Sequence, residues 1–161
     1  MSKAIAFIAG AGPGTGGAVA RRFAQLYPVV LLARSHLSLD PLVKDITQSG
    51  GSAIGIPIDV TSALAMSSTM DQIRLKFGPD FRMAAAIYNV ASKFAVKPFL
   101  EQSPEDFLHG LEPSIKGAFN FAQATLPLML NGDKEQYPPT LIFTGTRDCQ
   151  SGSETILNEK L

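Results

Sequence analysis

The 161-residue sequence predicts an α/β fold, a parallel sheet wound on both faces by helices, and three observations carry that reading. Five short runs of strand-forming residues recur along the chain, and stretches with helical spacing separate them. Each run is apolar nearly throughout instead of alternating, as in strands covered on both sides. Strict alternation of the two element types implies right-handed crossovers, with ligands beyond the carboxyl ends of the strands. Functional residues are therefore expected just after Ala9, Leu32, Ile58, Val90 and Thr144.

The strands are placed at 3–9, 29–33, 53–58, 84–90 and 140–145. A first helix spans about Thr15 to Leu26, with Val19, Phe23 and Leu26 on its apolar stripe, and Pro28 closes it by restricting the residue before it. A second opens with Asp40 as N-cap and Pro41 at the first helical position, and stops at Gly50 and Gly51. A third starts near Thr61 or Ser62, buries Met66, Met70, Ile73 and Phe77, and ends at Gly78. The fourth, 103–130, opens on "SPED", an N-cap followed by Pro104 and first-turn acids. Pro113 should kink it, at a cost of roughly 3 kcal/mol for an interior proline. Beyond the kink, Ile115, Ala118, Phe119, Ala122, Thr125, Leu126 and Met129 form an apolar stripe fit to pack on both the sheet and a neighbour.

Composition narrows the function. Hydrophobic residues make up 45% and charged residues 17%, which suits one folded domain. Basic and acidic residues number 14 each, so no cationic surface speaks for nucleic acid. Apolar runs fall short of the ~20 residues a membrane-spanning helix needs, and the first residues lack a signal-peptide pattern. A single cysteine, Cys149, excludes a disulfide framework and a zinc quartet, and makes a reducing, cytoplasmic location the expectation. His36 and His109 stand alone, without metal-ligand spacing.

The strongest local signal is "AGAGPGTGG" at 9–17, between the first strand and the first helix, with five glycines in eight positions. A phosphate can approach the backbone closely there, where unpaired N–H groups open the helix. Gly12, Gly14 and Gly17 fit G-x-G-x-x-G, while Gly10, Gly14 and Gly16 fit G-x-x-x-G-x-G. A Walker loop is disfavoured because Ala18 and Val19 follow where Lys and Ser/Thr are required. The second strand ends in Ala33 and Arg34 and not in the carboxylate that holds the ribose of NAD. Arg34 therefore points to the 2′-phosphate of NADP, unless it is a solvated surface arginine.

Taken in order, Gly10-x3-Gly14-x-Gly16, Asp59 in "IDVTS", "IYNVAS" and "GAFNFAQATLPLML" resemble the short-chain dehydrogenase/reductases over about 3–146. The resemblance is closest to fungal members, some of which tailor secondary metabolites. It implies a Rossmann-like NADP-binding domain over 1–146, a divergent polar tail over 147–161, and hydride transfer between NADP(H) and a carbonyl or alcohol. It further implies that Asp59 bonds the adenine, that Thr15 and the glycines face the cofactor, and that Asn89 steadies the central strand. Asp59 could also cap the next helix. Lys116 falls where relatives often carry a cofactor-side basic residue, or is a solvent-facing helix lysine.

The family's catalytic Tyr-x-x-x-Lys has no counterpart here: Tyr27, Tyr88 and Tyr137 are followed four residues on by Leu31, Ser92 and Leu141. In relatives that motif lies on a helix after the fifth strand, and the chain ends at Leu161 soon after its own. The family's helix Asn aligns with Ser114, and the active Ser most nearly with Thr146, the one nominee for a catalytic hydroxyl; Ser151 and Ser153 read as loop residues. The expectation is a chain shortened at its C-terminus, binding the dinucleotide without turnover, or active only with residues supplied from elsewhere. An uncovered fifth strand and the bare face of the 103–130 helix would make it prone to self-association.

Overall fold

The computed structural model describes residues 4–91, 97–130 and 138–145. Thr146, Cys149 and the hydroxyls of the tail lie outside the described residues.

Five strands, β1 (Ala4–Ala9), β2 (Val29–Ala33), β3 (Ala53–Pro57), β4 (Arg82–Tyr88) and β5 (Thr140–Phe143), form one sheet in the order β3-β2-β1-β4-β5. Every pairing is parallel. The chain thus winds outward one way from β1, then returns to its other side through β4. That reversal opens a crevice between the carboxyl ends of β1 and β4. β1 and β2 are buried almost throughout, as their unbroken apolar runs require, whereas β3 and β5, at the two ends of the order, are only partly covered.

Helices α1 (Thr15–Ala24) and α2 (His36–Gln48) cover one face, where Ala20, Leu39, Leu42 and Ile46 meet Ala6, Ile8, Val29 and Leu31. On the other face α3 (Ala63–Phe77) and α5 (Ala118–Leu130) bring Met66, Ile73, Phe121 and Met129 against Ile5, Phe7, Val30 and Leu32. Phe7 and Phe121 stack there with ring centroids 5.3 Å apart and planes 8° apart. Truncating a buried phenylalanine to alanine costs about 3–5 kcal/mol, so this pair is a principal tie between sheet and helix layer.

Several local readings are corrected. α2 begins one turn earlier than expected: Ser35, extended at φ −148°, is the N-cap, and Pro41 sits inside the helix, not at its start. Pro41 is the sixth helical residue, so the helix forgoes the one bond that its N–H would make to the Leu37 carbonyl, and the first turn forms ahead of it. α1 ends at Ala24, which leaves Leu26 75% exposed and off the stripe. α3 is capped by Ser62, whose hydroxyl accepts from the Ala65 N–H at 3.2 Å, and ends at Gly78 with φ +90°.

The expected 103–130 helix is two helices joined by one wide turn. α4 (Pro104–Glu112) opens with a full capping box between Ser103 and Asp106. Pro113 then starts a π turn, Pro113–Gly117, and α5 follows. Lacking an N–H and crowding the preceding turn, Pro113 is accommodated by widening the helix locally. Past this turn Phe121 lies in the core, while Phe119 is 61% exposed and Ile115, in the turn itself, 63%.

Candidate functional site

At the carboxyl ends of β1 to β4 lies a cleft of about 590 Å³. Its floor is the glycine turn after β1, one wall is the β2–α2 junction, and the other is built from the β3–α3 junction and α4.

The turn is specified by contacts that leave no room for side chains. Gly10 has φ +80°, a conformation side chains rarely adopt, and a Cβ on it would collide with the Asn89 carbonyl. A Cβ on Gly16 would strike the Gly10 carbonyl oxygen. Gly14 differs: a Cβ there would meet no protein atom within 4 Å, and the same holds for Gly12. Gly17 is closed as well, since a Cβ on it would strike the Gly12 carbonyl oxygen, so three glycines are demanded by the turn itself and two leave space above it. Gly14 is the N-cap of α1 and offers no side chain to its first N–H groups, nor does the first turn carry an acid. Exposed Thr15 is the first helical residue. The arrangement fits an anion seated on the helix start, favoured by the helix dipole.

Asn89 ties this turn to the rest of the sheet. Its side-chain amide donates to the Gly10 carbonyl at 3.2 Å and accepts from the Thr144 hydroxyl at 2.8 Å. The Asn89 backbone N–H donates to the Ala9 carbonyl at 2.9 Å.

Asp59 follows β3 and is solvent-exposed. Its Oδ1 accepts from the Thr61 N–H at 2.9 Å and from the Thr61 hydroxyl at 2.8 Å. These bonds, the backbone one foremost, hold its carboxyl below the usual range, assisted by the charges of Lys116 and Arg34. Asp59 thus shapes the turn into α3 but is not the helix cap, a role taken by Ser62. Arg34 lies exposed on the β2–α2 wall beside Ser35 and Ser38. Lys116 is exposed on the π turn, near enough to act on Asp59. The structure thus brings Gly10, Asp59, Asn89 and Arg34 into the cleft's lining, sets Gly14, Thr15 and Gly16 on the turn and helix start beside it, and puts Lys116 within electrostatic reach.

Several residues at the site were not foreseen. Ser35 and Ser38 line the cleft because α2 starts early, and His109, one helical turn before Pro113, stands on the α4 wall. Buried Asn120 donates to the Val60 carbonyl at 3.0 Å, fixing the strand end behind Asp59; an amide set between two phenylalanines in "GAFNFAQ" was the available clue. Tyr88 donates its hydroxyl to the Pro113 carbonyl, and a Cβ on Gly117 would collide with that same hydroxyl. Burial first, then the Asp59 charge, pushes Tyr88 up to about 12. Its hydroxyl, engaged by Pro113 and packed against Gly117, ties β4 to the π turn. No group of three or more metal-ligating side chains occurs among the described residues.

The family profile described as short chain dehydrogenase matches residues 4–149. The chain belongs to the short-chain dehydrogenase family. Among its relatives in that family, a short chain dehydrogenase of Pseudocercospora fijiensis is 28% identical over 131 residues, covering 78% of this chain and 40% of its own. The crystal structure of 3-oxoacyl-[acyl-carrier protein] reductase from Brucella melitensis in complex with NAD superposes with a TM-score of 0.81 at 19% identity, over 95% of this chain and 59% of that one. A metagenomic short-chain oxidoreductase in complex with NADP gives 0.72 at 24% identity, over 81% and 58%. At such identities the two structures speak for the fold alone. The chain spans between two fifths and three fifths of the length of these short-chain dehydrogenase relatives.

Proposed function

We propose that the chain binds NADP(H) in this cleft as the cofactor half of an oxidoreductase that moves hydride between the nicotinamide and a small carbonyl or alcohol. The observation that carries the reading is the pair of open glycines, Gly12 and Gly14, above a turn that Gly10 and Gly16 hold shut from below. Gly14, Thr15 and Gly16 would take the phosphates on the α1 N-terminus, and Asp59 and Lys116 would lie toward the base. Arg34 would hold the 2′-phosphate, and Asn89 would keep the turn in shape. The cofactor would supply the hydride; these residues bind and orient it.

The preference for NADP over NAD rests on Arg34, an exposed guanidinium at the β2 end where no carboxylate stands. Titration of NADPH and NADH into the Arg34→Glu variant tests it: NADPH should weaken at least tenfold more than NADH, whereas equal losses would remove Arg34 from phosphate recognition.

A second reading is favoured by one sequence observation, the lack of any Tyr-x-x-x-Lys among these 161 residues. On that reading the polypeptide binds the dinucleotide and leaves carbonyl substrates unreduced, with Thr146 the nearest candidate hydroxyl. A ketone panel with NADPH consumption as readout separates the two. The fungal relative supports a place in fungal metabolism, and the single Cys149 a reducing, cytoplasmic setting. No helix among the described residues is long and apolar enough to cross a membrane. We also take 1–146 as the nucleotide-binding unit and 147–161 as a tail.

A further inference from the structure

We propose that His109 is a base-binding residue: its imidazole forms the α4 side of the slot that takes the adenine ring. The inference rests on the dinucleotide reading above and extends it to a side chain that the glycine and phosphate contacts leave unused.

Three observations converge on this residue. α4 is fixed in rotational phase by the Ser103–Asp106 capping box at its start and by the Tyr88 bond to Pro113 at its end. With the phase so fixed, His109 and Pro113, four residues apart and so on one face, are the positions of α4 and the turn after it that line the cleft. Finally, no hydrogen bond or ion pair engages the His109 ring among the described residues, in contrast to His36, whose Nδ1 lies 3.3 Å from an Asp40 oxygen.

The position within the cleft selects the ligand part. α1 and α2 belong to one face of the sheet, while α4 leads through its π turn into α5 on the other. The cleft therefore has an α2 side carrying Arg34 and Ser38 and an α4 side carrying His109, with Asp59 and Val60 at the strand end shared by this lining. A flat heteroaromatic ring is the ligand group that gains most from an unengaged imidazole on such a wall, since stacking needs no directional partner and tolerates either protonation state.

The test uses the full chain with ADP, which carries the base and lacks the 2′-phosphate, alongside NADPH and NADH. Binding of all three should weaken roughly tenfold in His109→Ala and recover in His109→Phe, by the usual worth of base–aromatic stacking. Proton NMR gives a second readout on the unaltered protein. The ring protons of His109 should move upfield as ADP is added while those of His36 stay near their positions. Unchanged affinity in His109→Ala, or a still His109 resonance under saturating ADP, would overturn the assignment and leave the dinucleotide site standing. A His109→Phe variant as weak as His109→Ala would overturn stacking as its basis. Failure of the unaltered chain to bind any of the three would remove both the site and this residue's part in it.

Discussion

Gly10 and Gly14 occupy neighbouring places in one motif yet answer to different demands, and substitution separates them. Gly10→Ala forces a side chain onto φ +80° and into the Asn89 carbonyl, so both folding and binding should suffer, with a stability loss of several kcal/mol. Gly14→Ala meets no protein atom within 4 Å. Because Gly14 is the N-cap of α1, the change should cost only about 1 kcal/mol of stability, while dinucleotide affinity, followed by calorimetry, falls at least tenfold. Retained affinity would mean that no phosphate lies over Gly14. The glycine cluster and Arg34 were legible in the sequence because backbone conformation and formal charge are properties of single residues in a local frame. Tyr88, His109 and Thr144 were not, since their importance depends on partners 25 to 56 positions away or on the facing of a helix. Tyr88 also leaves a mark on pH dependence. Its folded value, about 12, lies above the ordinary phenol value of 10.0, so its stabilising share is complete below pH 10 and is lost as pH rises toward 12. Alkaline unfolding should show that decline, and Tyr88→Phe should flatten it.

Among the elements, the five strands, both ends of α3 and the start of α4 could be read from apolar runs and caps, because both depend on residues adjacent in sequence. The start of α2 could not: Pro41 looked like a first-turn proline, and only the close of the β2 turn shows Ser35 in the capping position. The helix following Pro113 shows the same limit from another side. A kink was expected, but the π turn and the close meeting of Gly117 with the Tyr88 hydroxyl there join residues far apart in sequence. Gly117→Ala should therefore destabilise the chain by about 1–3 kcal/mol, as overpacking of a tight site does. The added methyl would press on both Tyr88 and Val60, whose Cγ2 would be 2.8 Å away. Denaturant unfolding measures the loss, and a neutral result would show that the π turn yields easily.

For the molecule as a whole, the parallel sheet and a cleft beyond its carboxyl ends were anticipated by the strand–helix alternation, whereas the strand order comes from the structure. The bare apolar face beside the fifth strand was expected as well. Phe119, Ile115 and Leu130 on α5 and its lead-in are each more than half exposed, and Phe143 at the end of β5 is 50% exposed. Apolar surface gathered this way favours association. Light scattering at micromolar concentration should find the isolated chain self-associated, and Phe119→Glu should shift it toward monomer. A monodisperse monomer before the substitution would contradict the expectation. At the carboxyl ends of the strands the Asn89 amide rivets three strand ends together, the turn after β1, its own strand and Thr144 beyond β5. Loosening β5, even with a change no larger than Thr144→Val, would then slacken the floor on which the phosphates rest, so the outermost strand has a say in how firmly the innermost turn grips.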